Sequence, residues 1–207
     1  MFITFEGIEG SGKSLQARLL VARLREHGVT VVQTHEPGGT PLGDQLRELV
    51  LLRDDLAPTE RAEALLMCTA RAQLVGTVIK PALVRGEVVV SDRFADSTLA
   101  YQGAGRGLDV AQLKSVISFA TAGLEPDMTL LLDLPVETGL ARKQAQMGAA
   151  WNRFEAEADT FHEHVRARYR ALAEEEPRRW RCFDALKSSE TLSDEIWRTV
   201  AAELRLS

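Results

Sequence analysis

The chain has 207 residues, 45% hydrophobic and 27% charged, which suits one globular domain or two small ones and excludes a disordered or fibrous polymer. Its 25 basic residues face 30 acidic ones, a formal net charge of -5 that argues against a general nucleic-acid binder but leaves room for a local anion pocket. The N-terminus lacks the pattern of a signal peptide and no run of about 18 apolar residues occurs, so a soluble, cytoplasmic protein without a membrane span is expected.

Phe2 to Glu6 is a short apolar run closed by Gly7, the pattern of a buried strand. Gly7-Ile8-Glu9-Gly10-Ser11-Gly12-Lys13-Ser14 then matches G-x-x-x-x-G-K-[ST]. Its glycines let successive N–H groups curve around a polyphosphate, and the helix that follows adds its positive end. Lys13 is placed to neutralise β- and γ-phosphate charge, and the Ser14 hydroxyl to face Mg2+. The motif with its strand and helix predicts a nucleoside triphosphate site; by itself it does not separate a kinase from a switch or a motor.

Ser14 to Glu26 has helical spacing and ends at Gly28, and Val29 to Val32 reads as a second strand. The turn Glu36-Pro37-Gly38-Gly39-Thr40 leads into a helix over Leu42 to Leu52. Thr59 to Leu83 predicts a long helix with a kink or break at Pro81, and Glu87 to Ser91 a third strand. Asp92-Arg93 follows that strand directly. In open α/β sheets ligands gather at the carboxyl ends of strands, so Arg93 can bind a second phosphate bidentately and Asp92 can hold a metal-bound water, where elsewhere the pair would read as a surface ion pair.

Ser97 to Gly107 supplies hydroxyls, a ring and an amide suited to a nucleobase and sugar, or else a glycine-rich connection. Met128 to Leu134 is the fourth strand; Arg181 to Phe183 is a candidate fifth, and Leu192 to Leu204 a closing helix. Gln144 to Asn152 is polar and weakly patterned, as in a loop. Cys68 and Cys182 lack metal-ligand spacing and are expected as reduced, buried thiols. His27, His35, His162 and His164 read as surface or structural residues. Strands alternating with helices predict a three-layer α/β/α fold on a central parallel five-stranded sheet, in one domain over 1–207.

In order and spacing, the phosphate loop, the Glu36–Thr40 turn, Arg71 in Thr69-Ala70-Arg71-Ala72-Gln73, Asp92-Arg93-Phe94 and Tyr101-Gln102-Gly103 through Arg106-Gly107 resemble the bacterial thymidylate kinases, over essentially the whole chain. The resemblance implies transfer of the γ-phosphoryl of ATP to dTMP with Mg2+, in a homodimer that engages neither a nucleic acid polymer nor a membrane. By matching position it implies that Arg93 binds the acceptor phosphate and that Glu9 sits near the acceptor sugar. It places Arg71 toward the thymine, Thr98, Tyr101 and Gln102 around it, Met67 where a stacking ring is usual, and Glu36 near the metal or acceptor phosphate. Asp92 would assist Mg2+ through water, alongside Ser14.

A lid is implied over about 142–154, with Arg153 its catalytic arginine and Arg142 and Lys143 supporting charges, because Ile8 leaves the phosphate loop without an extra arginine. A phosphate acceptor is already largely dianionic at neutral pH (second pKa about 6), so no general base is needed. Five positions depart from the pattern: His35 for the usual Arg, Met67 for Phe, Leu15 for Thr, and Gln144 and Gln146 for lid arginines. They keep two alternatives open, a related nucleoside monophosphate or deoxynucleoside kinase and a non-catalytic nucleotide-binding regulator.

Overall fold

A computed structural model of the chain describes residues 1–53, 55–56, 58–147, 154 and 157–206. Its first half runs β1 (Phe2–Glu6), α1 (Lys13–Glu26), β2 (Val31–His35), α2 (Pro41–Leu51), α3 (Glu60–Leu74), a π-helical turn (Val75–Ile79) and α4 (Lys80–Val84). Then come β3 (Val88–Asp92), α5 (Ala95–Thr98) with a π-helical continuation (Leu99–Gly105), and α6 (Val110–Thr121). The remainder is β4 (Met128–Asp133), α7 (Val136–Met147), α8 (Asp159–Glu175), β5 (Trp180–Asp184) and α9 (Ser189–Leu204).

The strands form one parallel sheet in the order β2-β3-β1-β4-β5, the five-stranded α/β/α architecture expected. The apolar runs of β1, β3 and β4 occupy the centre, covered on both faces, while the shorter apolar signals of β2 and β5 belong to edges with alternating burial. Side chains of a strand alternate between faces. Thus Ile3, Phe5 and Val90 join Leu20 and Leu24 of α1 on one side, and Phe2 and Val89 meet Leu74, Val75 and Ile79 on the other. Register fixes the site: Phe5 and His35 both stand opposite Asp92, so the turns leaving β1, β2 and β3 open side by side at one edge.

Local chemistry starts the helices. Thr40, Thr59, Asp109 and Ser188 each accept a first-turn N–H at α2, α3, α6 and α9. Helix α1 differs: its cap is Gly12, with φ 91° and no side-chain bond, so its first N–H groups stay available to an anion.

Several expectations need correction. The second strand is Val31–His35, three residues beyond the β-branched run, because pairing with β3 draws polar Gln33, Thr34 and His35 into the edge. Pro81 neither breaks nor ends the long helix: Glu60–Val84 is continuous, and the π-helical turn just before α4 leaves Pro81 in a first helical turn, where its missing N–H is harmless. An 18-residue stretch of that helix has a mean hydropathy of 1.3, enough by length and composition to cross a membrane; half of that stretch is buried inside the protein. Helix α7 continues through Met147, so residues 144–147 are helix and not loop; Gln and Ala are good helix formers. Cys68 is a buried free thiol, but Cys182, on edge strand β5, is exposed.

Candidate active site

The phosphate loop leaves β1 and enters α1 around a cleft of about 930 Å³. Its tight path demands glycine. A Cβ on Gly10 would lie 2.0 Å from the carbonyl oxygen of Gly139 in α7, and one on Gly7 would lie 2.6 Å from that of Leu132. Lys13 is buried, its Nζ donating to Ile8 O at 2.7 Å and Ser11 Oγ at 3.3 Å. Burial first, then nearby Arg93, lowers its pKa to about 8 against the pull of Asp92, Glu9 and Glu6. Gly10, Gly12, Lys13 and Ser14 line the cleft; Ile8 and Ser11 are buried behind it.

Arg93 faces this loop from the end of β3. Its backbone is left-handed, φ 73°, at an ordinary cost near 1 kcal/mol for a side-chain-bearing residue. Five side-chain hydrogen bonds hold it there. Nη1 donates to Gly7 O (3.1 Å), Ser97 Oγ (3.3 Å) and Tyr169 OH (3.1 Å), and Nη2 to Glu9 Oε1 (3.1 Å) and Tyr101 OH (2.9 Å). Tyr101 OH also donates to Glu9 Oε1 at 2.6 Å. Burial would raise the Glu9 carboxyl, yet the closeness of His162 and the charges of Arg93 and Lys13 hold it well below the carboxylate range. His162 is buried, with Nδ1 3.5 Å from Glu9 Oε2; neither atom has a hydrogen-bond partner.

Behind Arg93 lies Glu6, fully buried, which accepts from Phe94 N (2.8 Å), Ser97 Oγ (2.7 Å) and Tyr169 OH (2.8 Å). Burial, then the charge of Asp96, raises its pKa to about 7 despite Arg93 and those donors. The same two hydroxyls, Ser97 and Tyr169, thus touch both Glu6 and Arg93.

The far end of the cleft is built on α3 and the α5 segment. Arg71, 2% exposed, donates Nε to Glu36 Oε2 at 2.8 Å, Nη1 to Thr98 Oγ1 at 3.0 Å and Nη2 to Phe94 O at 3.1 Å. Burial pushes Glu36 up against the pull of Arg71, and Glu36 Oε1 is left buried without a partner. Met67, Thr98, Tyr101 and Gln102 line the same region. The Ser97–Gly107 segment is therefore helical over most of its length, and that winding points Thr98, Tyr101 and Gln102 into one wall.

At the loop end, Ser14 Oγ donates to Asp92 Oδ2 in a close contact, which brings two hard oxygen donors together where a divalent cation could be held. Lys143 lines the cleft, whereas Arg142 donates to Ala185 O at 2.8 Å, beyond β5. Gln144 is exposed on α7; the side chain of Gln146, and Arg153 entirely, lie outside the described residues.

The sequence reading missed Glu6, Tyr169 and the placement of His162 and Arg47, which lines the cleft and donates to Pro37 O at 3.0 Å; it gave the Ser97 hydroxyl to the base and sugar, where the structure sets it against Arg93 and Glu6. Glu6 carried a signal, a carboxylate closing a largely apolar central strand, where a charged group is rarely buried unless paired. His162 and Tyr169 carried none, since only the docking of α8 brings them under the loop.

The thymidylate kinase family's sequence model matches residues 5–196. Among curated proteins, the thymidylate kinase of Thermomicrobium roseum is 51% identical over 204 residues, 99% of this chain and 96% of that protein. The thymidylate kinase of Pseudomonas putida is 50% identical over 196 residues, covering 95% and 92%, and that of Desulfovibrio desulfuricans 50% over 210 residues, covering 99% and 97%.

Proposed function

The chain belongs to the thymidylate kinase family, and from that premise we propose that its cleft transfers the γ-phosphoryl group of ATP to dTMP, giving dTDP and ADP. The observation that carries the reading is the opposition of Arg93 to the phosphate loop: two anion sites share one wall, joined by the Arg93 Nη1 to Gly7 O bond. The loop N–H groups, the start of α1 and Lys13 bind the ATP phosphates, and Arg93 binds the dTMP phosphate. Ser14, and Asp92 through water, would hold Mg2+, which would neutralise charge on the ATP phosphates.

The acceptor phosphate is largely dianionic at neutral pH, so the protein's task is to position and to neutralise, not to abstract a proton. Arg93, itself immobilised by five bonds, sets the attacking oxygen in place, and Glu9, which lines the cleft beside it, takes the acceptor sugar. Arg71, Thr98, Tyr101, Gln102 and Met67 hold the base, while Glu36, which also lines the cleft, anchors Arg71 and serves the metal or the acceptor phosphate. Transfer has to exclude water, and residues 142–154 act as the lid, with Arg153 reaching the transferring phosphate and Lys143 supporting it.

The 207 residues work as one kinase domain in the cytoplasm, engaging neither a membrane nor a nucleic acid polymer. The active form is a homodimer; exposed Leu65 on α3 and Phe119 on α6, helices that pack side by side, favour a second copy there. Product chromatography tests the reaction: ATP, Mg2+ and dTMP should give dTDP and ADP in equal amounts. Nucleotide binding without dTDP would instead identify a regulator.

A further inference from the structure

We propose that Glu63 sets the base specificity of the acceptor pocket by fixing which pole of the Gln102 amide faces the cleft. This rests on the reading of that pocket as a dTMP site. Glu63 sits in the first turn of α3, fully buried and set back from the cleft lining, whereas Gln102, 2% exposed, forms part of that lining.

Gln102 Nε2 donates to Glu63 Oε1 at 2.9 Å. An ionised carboxylate accepts and cannot donate, so the amide nitrogen is the atom that must face it. A planar amide with its nitrogen committed to Glu63 turns its carbonyl oxygen the other way. The carboxylate is itself pinned from behind: Arg106 donates Nε to Oε1 and Nη2 to Oε2, each at 3.4 Å. Arg106 in turn bonds Glu157 at 2.5 Å and lies 4.9 Å over the Phe161 ring, so the support is anchored on α8 and the segment before it.

Arg71 stands beside Gln102 in the cleft lining. It has donors only, and its bond to Thr98 ties it to the helical segment that carries Gln102. Its N–H groups are taken up by Glu36, Thr98, Cys68 and the Phe94 carbonyl, so the free polar atom that the pocket presents is the acceptor oxygen of Gln102. Thymine and uracil answer with a carbonyl oxygen beside a ring N–H. Cytosine offers the reverse, an amino group beside a ring-nitrogen lone pair, so that its lone pair would meet the Gln102 oxygen lone pair where thymine brings an N–H. Glu63 touches no substrate; it is a positioning residue that acts through Gln102.

The test compares kcat/KM for dTMP and dCMP in wild type, Glu63→Gln and Glu63→Asp. In Glu63→Gln the new amide can accept from or donate to Gln102, so the Gln102 amide is free to turn over. In Glu63→Asp the carboxylate withdraws by one methylene yet keeps its charge for Arg106, and this variant carries the test if Glu63→Gln fails to fold by circular dichroism. The dTMP-to-dCMP ratio should fall about tenfold or more in either folded variant. The fall should vanish when Gln102 is already Met, because the reader is gone. A general loss of packing would lower both activities and leave their ratio alone. A ratio within about twofold of wild type in a folded variant overturns the role of Glu63. A wild-type enzyme that makes no dTDP overturns the pocket's assignment instead.

Discussion

Arg93 illustrates how much a single residue depends on its surroundings. A surface ion pair between an arginine and a carboxylate is worth about 0–1 kcal/mol, but Arg93 is mostly buried, left-handed and bonded on both guanidinium arms. Those bonds hold it in one orientation, so a phosphate meets a preorganised fork instead of a mobile side chain. Arg93→Ala should therefore lower kcat/KM for dTMP by about 100- to 1000-fold while leaving the KM for ATP within about threefold. Steady-state kinetics with each substrate varied in turn checks this; an equal loss for both substrates would mean that Arg93 supports the loop and not the acceptor. Asp92-Arg93 was legible in sequence because it directly follows an apolar strand. Its partner Tyr169 was not: it lies 163 positions from Glu6 and meets it only through the packing of α8.

At the scale of elements, the phosphate loop owes its shape to α7 as well as to its own glycines. Gly10 and Gly139 approach until neither tolerates a side chain: a Cβ on Gly139 would stand 2.5 Å from the Glu9 carbonyl oxygen and 3.1 Å from Ile8 Cδ1. Gly139→Ala would gain about 1 kcal/mol in helix propensity but lose about 1–3 kcal/mol by overpacking against backbone. We expect the KM for ATP to rise about tenfold with a lowered melting temperature; unchanged ATP kinetics would show that α7 can move away from the loop without consequence. The loop's place between a strand and a helix was legible because its signature is local. The contact with Gly139 had no such marker, since a lone glycine near a helix start reads as an ordinary weak point. The same division explains the strand edges. Apolar runs located β1, β3 and β4, but β2 extends over polar Gln33 to His35 because its pairing with β3, not its composition, defines it.

For the whole molecule, the acidic balance of 25 against 30 hides a cleft in which Lys13, Arg71 and Arg93 gather around buried carboxylates. That arrangement couples stability to pH through Glu6. Folding raises its pKa from the ordinary 4.5 to about 7, so the folded chain holds the proton more tightly than the unfolded one. The resulting stabilisation is complete below about 4.5 and is lost as pH climbs through about 7, a difference of a few kcal/mol. Glu6→Gln lacks this dependence and keeps an acceptor for Phe94 N. Its melting temperature should gain on wild type by several degrees between pH 5 and pH 8, whereas parallel melting curves would contradict the raised pKa. What decides the account is the choice of acceptor, because every element described above serves the meeting of ATP with one pyrimidine nucleotide. ADP release measured with dTMP, dUMP, dCMP, AMP and GMP should show a clear preference for dTMP; a preference for AMP, GMP or dCMP, or no stimulation by dTMP, would contradict it.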